Sequence, residues 1–287
     1  MAFEDVMAAV ARLSTAMDAV AAIGADLAIR TGGAEADPEI VAALEAVGTA
    51  AGVDLTDLAP PQQHMVLNMI RVNFAQAADL LQDPTRRPGW TFSDPTILEG
   101  IGRGSSMIPM ALAMNPEFAN VTSFLDVGVG VGWLAIAAAN TWPECSVVGI
   151  DTYDTALDRA RTNVHDAGLA DRITLRNQDV AALDDVGAFD GAWLPTFFIP
   201  DHLLGKAVGN MVQSLRTGGA LVLGIFTSPP DPLPRSTTNL RTIRWGGAVL
   251  DVAGASDLLT GAGCADVRVL DVPFPIPMAF VAGRRPS

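Results

Sequence analysis

The chain contains the stretch Leu125-Asp126-Val127-Gly128-Val129-Gly130-Val131-Gly132, in which three glycines follow a short apolar run and precede a helical segment at residues 133–140. Glycines at the end of a strand permit a tight turn and let a ligand approach the backbone. The start of the following helix presents backbone N–H groups and a partial positive charge, which suit a carboxylate or a phosphate. The stretch therefore predicts a ligand-binding loop between a buried strand and a helix.

Short apolar runs alternate with longer helix-like segments from residue 121 onward, namely at 124–127, 147–150, 173–175, 189–194 and 220–226. This alternation predicts βαβ units and a parallel sheet covered by helices on both faces. Four prolines within residues 228–234 predict an irregular loop. The last two runs, 267–272 and 279–282, are separated by Pro273, Pro275 and Pro277, too short a gap for a crossover helix. We therefore predict a Rossmann-like, doubly wound α/β sheet of seven mostly parallel strands with an antiparallel last strand.

The first part of the chain has a helical pattern throughout. An apolar stripe with spacings of three and four residues is formed by Val6, Val10, Leu13, Met17 and Val20. Asp94-Pro95 predicts the start of a further helix, with a break near residues 100–104. We predict an all-α cap or dimerisation region at residues 1–118 and the ligand-binding domain at residues 119–287. The stripe suits a homodimer interface, or packing within its own region.

Acidic residues follow two further predicted strands. Asp151 ends the second run, and Asp179 follows the third. A carboxylate at the end of the second strand can accept both hydroxyl hydrogens of a ribose, and one at the third can accept from an exocyclic amine of adenine. A dinucleotide fingerprint would need a third glycine at position 133, which holds Trp133. Trp133 thus argues against a nicotinamide dinucleotide as the ligand of this loop.

Residues from about 121 to 283 resemble the class I S-adenosylmethionine (SAM)-dependent methyltransferases that act on small molecules. Five matching segments occur in the family's order: residues 124–132, Asp151, Gln178-Asp179-Val180, Phe189-Asp190-Gly191-Ala192-Trp193-Leu194-Pro195, and Leu215-Arg216-Thr217-Gly218-Gly219-Ala220. The resemblance implies SAM as cofactor and an enzyme of the methyltransferase class. The helical first part is similar in placement to the cap regions of this family.

The resemblance also implies roles for individual residues. Asp126 and the loop glycines Gly128, Gly130 and Gly132 are expected beside the methionine moiety, Asp151 at the ribose, and Asp179 with Val180 at the adenine. Further cofactor contacts are expected at Thr152, Tyr153 and Leu194. Each assignment has a structural alternative: Asp126 orders the loop, Asp179 caps a helix, and Tyr153 is a surface aromatic. Arg103 either binds the SAM carboxylate in a bidentate manner or is a surface arginine.

Methyl transfer from a sulfonium is an in-line displacement, so a general base is needed only for a nucleophile that carries a proton. The family's catalytic histidine aligns near Phe198 or Ile199, and His202 follows a few residues later. His202 is accordingly the candidate base, or an exposed residue at a helix start. Candidates for an apolar substrate pocket are Trp90, Phe197, Phe198, Trp245 and His64. We assign no metal ligands.

The formal net charge of −14 disfavours nucleic-acid and anionic membrane partners. Cys145 and Cys264 form no CxxC pair and fit buried thiols of a reducing compartment. The acidic N-terminus lacks the basic region of a secretion signal, and no apolar run is expected to span a bilayer. We predict a soluble, cytoplasmic enzyme that methylates a small, largely apolar metabolite. The alternatives are an NAD(P)-dependent oxidoreductase and a SAM-binding protein without transferase activity.

Overall fold

The computed structural model describes residues 2–33, 35–227, 230–272 and 277–286. By packing, the chain forms two compact units: Met1–Pro84 with Pro95–Gly100, and Thr85–Asp94 with Ile101–Ser287. The functional boundary between residues 118 and 119 remains a prediction. The helical residues between Ile101 and that boundary belong to the second compact unit.

The first unit is built from the helices α1 (Phe3–Gly32), α2 (Pro38–Ala50) and α3 (Pro60–Gln82), with the first half of α4 (Pro95–Ser105). Its small core consists of Ile23 and Leu27 on α1, Leu67 and Ile70 on α3, and Leu55 from the connection before α3. Gly24 allows α1 to approach α3 closely, since a Cβ atom there would lie 3.0 Å from the Ile70 side chain. The core therefore involves only the C-terminal half of α1.

The N-terminal half of α1 does not pack on the rest of its unit. Its apolar stripe is between 40% and 73% exposed and comprises Phe3, Val6, Met7, Val10, Leu13, Met17 and Val20. By length and composition alone, α1 is also apolar enough to cross a membrane, with a mean hydropathy of 1.5. The prediction that no apolar run spans a bilayer considered uninterrupted runs and missed this helix, because the mean hydropathy of an 18-residue window tolerates isolated charges.

The second unit contains one seven-stranded sheet with the order β3-β2-β1-β4-β5-β7-β6. The strands are β1 (Ser123–Val127), β2 (Ser146–Asp151), β3 (Ile173–Asn177), β4 (Phe189–Pro195), β5 (Leu215–Phe226), β6 (Ala265–Val269) and β7 (Met278–Arg284). Strands β1 to β5 pair in parallel, and β7 pairs antiparallel with both β5 and β6. The predicted fold is confirmed. The carboxyl ends of β1 to β5 consequently meet at one edge of the sheet.

Two apolar layers enclose the sheet because alternate residues of each strand point to opposite faces. Phe124 of β1 belongs to one layer, with α5 (Ile108–Ala113), α6 (Trp133–Thr141) and α7 (Asp154–Asp166). Leu125 belongs to the other, with α8 (Asp201–Ser214) and α10 (Val252–Gly261). Both faces are covered, so the ligand-binding surface left to this sheet is its carboxyl edge.

Two local predictions are wrong. Helix α4 continues without a break through the glycines of residues 100–104. Pro232 and Pro234 do not lie in an irregular loop but in the first turn of α9 (Pro232–Arg244), where Asp231 caps the helix by accepting from the Leu233 N–H at 3.1 Å. Proline is tolerated there because N–H groups in the first turn have no intrahelical acceptor. The predictions for residues 228–229, Pro273 and Pro275 lie outside the described residues.

Candidate cofactor site and aromatic cluster

The glycine loop between β1 and α6 depends on a left-handed backbone. Gly128, Gly130 and Gly132 have φ angles of 68°, 54° and 88°, which other residues adopt only with strain. The backbone N–H groups of Gly128 and Val129 both donate to the Ile150 carbonyl, at 2.9 and 3.0 Å. These bonds fix the loop against the end of β2.

The carboxylate of Asp151 connects the end of β2 to the same loop. Its Oδ2 atom accepts from the Gly130 N–H at 2.8 Å, and Oδ1 accepts from the Tyr153 N–H at 2.9 Å. Burial raises the pKa of Asp151, while these backbone hydrogen bonds act in the opposite direction. A carboxylate has about four lone-pair sites, so both oxygens retain capacity to accept from the hydroxyls of a ribose. The predicted ribose acid is thus held rigidly and still able to bind.

Asp126 lies inside the sheet edge and is only 1% exposed. Its Oδ2 atom has no hydrogen-bond partner among the described residues. Burial raises the pKa of Asp126 well above its ordinary value, the charge of nearby Asp151 raises it further, and a hydrogen bond from the Ala135 N–H opposes both. A buried carboxyl with an open acceptor atom next to a glycine turn fits a ligand that carries an ammonium group, as SAM does.

The predicted adenine contacts lie at the ends of β2 and β3. Asp179 accepts from the Ala181 N–H at 2.8 Å and caps a short 3-10 turn at Val180–Ala182, so its structural alternative is observed. One carboxylate oxygen is sufficient for this cap. Val180 is buried, Tyr153 is half-buried at the start of α7, and Thr152 is exposed. Whether these four residues contact the cofactor stays a prediction.

Arg103 lies in the second half of α4, and its guanidinium carbon is 4.2 Å from the centre of the Trp133 ring. The helix backbone approaches the glycine loop at Gly102, where a Cβ atom would lie 2.4 Å from Val131 Cγ2. Arg103 is thereby placed beside the first residue of α6. Its predicted contact with the SAM carboxylate stays a prediction.

The end of β4 leads into a cluster of aromatic rings within the second unit. We call Trp90, Phe92, Phe197, Phe198, Phe226 and Trp245 the aromatic cluster. Phe198 stacks on Trp245 with 5.1 Å between ring centres and meets Trp90 edge to face at 4.8 Å. Phe197, Phe92 and Trp245 are buried, whereas Trp90, Phe198 and Phe226 retain exposed surface. Four of the six were predicted, while Phe92 and Phe226 were missed.

Close backbone approaches at two glycines bring the segments of the aromatic cluster together. A Cβ atom at Gly247 would overlap the Phe197 backbone at 2.0 Å, and one at Gly246 would lie 2.9 Å from Gly89. The Ala248 N–H donates to the Ile199 carbonyl at 3.0 Å, which fixes the segment after α9 against the end of β4. The pair Gly246-Gly247 is the sequence signal that marks this close approach.

Three predicted residues lie apart from these features. Leu194 is fully buried in the apolar layer, so only its backbone is available to a cofactor. His202 is exposed in the first turn of α8. His64 belongs to the first unit and is exposed, with its Nδ1 atom 2.8 Å from the Pro60 carbonyl. No group of histidine, cysteine and acidic residues that could hold a metal ion occurs in the described ranges.

Comparisons with known proteins agree with this geometry. Residues 124–219 match the family model described as a methyltransferase domain. The chain is 43% identical over 56 residues to the release factor glutamine methyltransferase of Rhodopirellula baltica, covering 20% of this chain and 19% of that protein. It is 34% identical over 128 residues to the U6 snRNA (guanine-N(2))-methyltransferase THUMPD2 of Bos taurus, covering 41% and 25%. The chain thus spans a quarter or less of these relatives.

A solved structure extends the likeness to the whole fold. The apo form of the S-adenosylmethionine-dependent methyltransferase SibL has a TM-score of 0.68 and 21% identity, covering 98% of this chain and 100% of that one. At this identity the likeness concerns the fold, including the helical N-terminal region.

Proposed function

We propose that this protein, whose residues 124–219 match the methyltransferase-domain family model, transfers the methyl group of SAM to a small, largely apolar metabolite. The observation that carries the proposal is the bond between the Gly130 N–H and the Asp151 carboxylate. It joins the glycine turn to the ribose acid in one rigid unit, so the methionine and ribose ends of one ligand can be held together.

The residues divide the cofactor between them. The glycine loop and Asp126 receive the methionine portion, Asp151 the ribose, and Asp179 with Val180 the adenine. Arg103 and the partial positive charge at the start of α6 attract the carboxylate. When bound, SAM supplies an electrophilic methyl group that an acceptor displaces in line. The contribution of this chain is to orient the sulfonium and to exclude water at the end of β4.

The aromatic cluster supports an apolar acceptor. Trp90, Phe198 and Phe226 keep exposed ring surface next to the end of β4, where the family's reaction takes place. Flat aromatic or aliphatic molecules pack well against such rings. The relatives named above act on a protein and on an RNA, so macromolecular acceptors are the competing class. The net charge of −14 disfavours RNA among them.

Titration calorimetry with S-adenosylhomocysteine (SAH) and NADH tests the cofactor. We expect SAH to bind, and Asp151→Asn to weaken it roughly 10- to 100-fold because a charge-assisted hydrogen bond is lost. Asp158→Asn is the matched control, since Asp158 is exposed on α7 and pairs with nearby Arg161. Binding of NADH instead of SAH would revive the oxidoreductase alternative.

Transfer of labelled methyl groups tests the acceptor. We expect label in small aromatic or aliphatic hydroxyl, amine or thiol compounds and not in RNA or protein. Label confined to RNA or protein would refute the small-molecule proposal, and SAH binding without any transfer would favour the binding-only alternative. Because His202 is exposed, we expect His202→Ala to keep the transfer rate; a fall of about 100-fold or more would assign it as the general base.

We further propose that the exposed stripe of α1 forms a homodimer interface in a cytoplasmic protein. Seven apolar side chains on one helical face match the surface that obligate partners cover. Val10→Asp with Leu13→Asp should yield monomers in sedimentation, whereas Thr15→Asp on the opposite face should not. Monomeric wild-type protein would contradict the dimer, and recovery of the protein with membranes would contradict both proposals.

A further inference from the structure

Arg103 and Trp133 form a cation–π pair next to the glycine loop. The guanidinium carbon of Arg103 lies 4.2 Å from the ring centre, within the range of a favourable interaction. Arg103 is exposed and Trp133 is half-buried. Because tryptophan is the ring that attracts cations most strongly, the contact restricts the Arg103 side chain.

The ring itself is held from the side of α4. A Cβ atom at Gly102 would lie 3.0 Å from Trp133 Cδ1 and 2.4 Å from Val131 Cγ2, so only glycine allows this approach. Trp133 is the first residue of α6 and follows Gly132 directly. The ring is thus fixed both by its own helix and by the residue that precedes Arg103.

We propose that Trp133 is a positioning residue for the cofactor, which holds the Arg103 guanidinium where the amino-acid carboxylate of SAM binds. The inference rests on the proposed function, in which Arg103 receives that carboxylate. A cation–π contact involves no oxygen acceptor, so it is compatible with hydrogen bonds from the same guanidinium to a carboxylate. It also removes side-chain freedom that Arg103 would otherwise lose on binding.

The partial positive charge at the start of α6 acts on the same ligand group. The first backbone N–H groups of a helix have no intrahelical acceptor and favour an anion. Trp133 occupies this first position, so its backbone and its ring act on one carboxylate. The effect of the ring is therefore specific to ligands that carry this group.

Two ligands separate positioning from simple packing. SAH carries the carboxylate, whereas 5′-methylthioadenosine contains the same adenosine and a thioether without it. We expect Trp133→Leu to weaken SAH about 3- to 10-fold and to leave 5′-methylthioadenosine unchanged. Trp133→Phe, which keeps a weaker ring, should give an intermediate loss. Trp142→Phe at the other end of α6 is the matched control and should alter neither ligand.

A double-mutant cycle tests whether the two residues act together. Arg103→Ala should weaken SAH roughly 10- to 100-fold, and Trp133→Leu should add nothing in that background. Equal losses for both ligands, or additive losses in the cycle, would overturn the positioning role. If Arg103→Ala leaves the preference for SAH over 5′-methylthioadenosine unchanged, the carboxylate assignment itself fails. If SAH does not bind the wild-type protein, the proposed function fails.

Discussion

The buried carboxyl of Asp126 makes the stability of the second unit depend on pH. Its pKa in the folded protein lies well above the ordinary value of 3.8, chiefly because burial disfavours the charged form. A group whose pKa is raised by folding contributes stability that is complete below its unfolded pKa. That contribution is lost as the pH rises through the folded pKa. The window therefore opens near pH 3.8 and extends upward to the folded value.

Asp126→Asn keeps the shape of the side chain and removes its titration. Within the window, the free energy of unfolding of the wild type should fall by about 1.4 kcal/mol per pH unit relative to the variant. The absolute difference in the free energy of unfolding between the two proteins includes the cost of burying the new amide N–H groups. The slope of the difference against pH does not, which makes the slope the quantity to measure.

Urea unfolding followed by tryptophan fluorescence is a suitable assay. The five tryptophans all belong to the second unit, which contains Asp126, so the signal reports the unfolding of this unit. Measurements between about pH 5 and pH 8 without ligand should show the free energy of unfolding of the variant increasing relative to that of the wild type as the pH rises. A difference that is constant with pH would refute the claim that Asp126 carries a raised pKa.

Asp126→Asn should also weaken cofactor binding. The proposed partner of the open Oδ2 atom is the ammonium of SAM, so loss of the negative charge should weaken SAH roughly 10-fold or more. Binding to the wild type should release a proton, which appears as a calorimetric enthalpy that depends on the ionisation enthalpy of the buffer. A variant that binds SAH as well as the wild type would separate Asp126 from the methionine portion of the ligand.

Three further outcomes are expected. Arg172→Ala should lower the free energy of unfolding by about 2–4 kcal/mol in urea titrations. The reason is that one guanidinium nitrogen donates to three carbonyls at the end of α6, at 2.7, 2.8 and 2.8 Å. An unchanged urea midpoint of unfolding would contradict this. Cys145 and Cys264 should resist alkylation near neutral pH until the protein is unfolded, since burial raises the pKa of these thiols to about 12 and about 11; rapid modification in the native state would be the contrary result. Gly132→Ala should reduce SAH affinity at least about 10-fold. The reason is that the φ of 88° is left-handed and the new Cβ would lie 3.3 Å from Ala160 Cβ. Calorimetry showing equal affinity would contradict the claim that the turn requires glycine.

The position of the candidate cofactor residues at one edge of the sheet was predictable because its determinants are local. The glycine loop, Asp151 and Asp179 each follow a strand directly, and parallel strands bring their carboxyl ends to one edge. The mostly parallel sheet and the antiparallel last strand followed from the spacing of the apolar runs. A short-range pattern therefore gave both the fold and the residues that lie next to strand ends.

The aromatic cluster was only partly predictable because distant segments form it. Phe92 and Phe226 join it through the close approach of residues 89–92, the end of β4 and the segment after α9. That approach depends on Gly246 and Gly247, whose role is invisible to periodicity. The prediction of a loop before α9 was wrong because it relied on the number of prolines. The positions of Pro232 and Pro234 suited the start of a helix instead.

Trp133 illustrates how one position carries two kinds of information. In the sequence, it excludes the third glycine of a dinucleotide loop. That glycine serves close packing of the helix on its neighbours. In this fold Gly132 already supplies the close approach, since a Cβ atom there would lie 3.3 Å from Ala160 Cβ on α7. The next position is therefore free to carry a large ring. Because the ring then lies against Gly102 and Arg103, the residue that departs from the dinucleotide pattern is also the one that we propose supports the carboxylate of SAM.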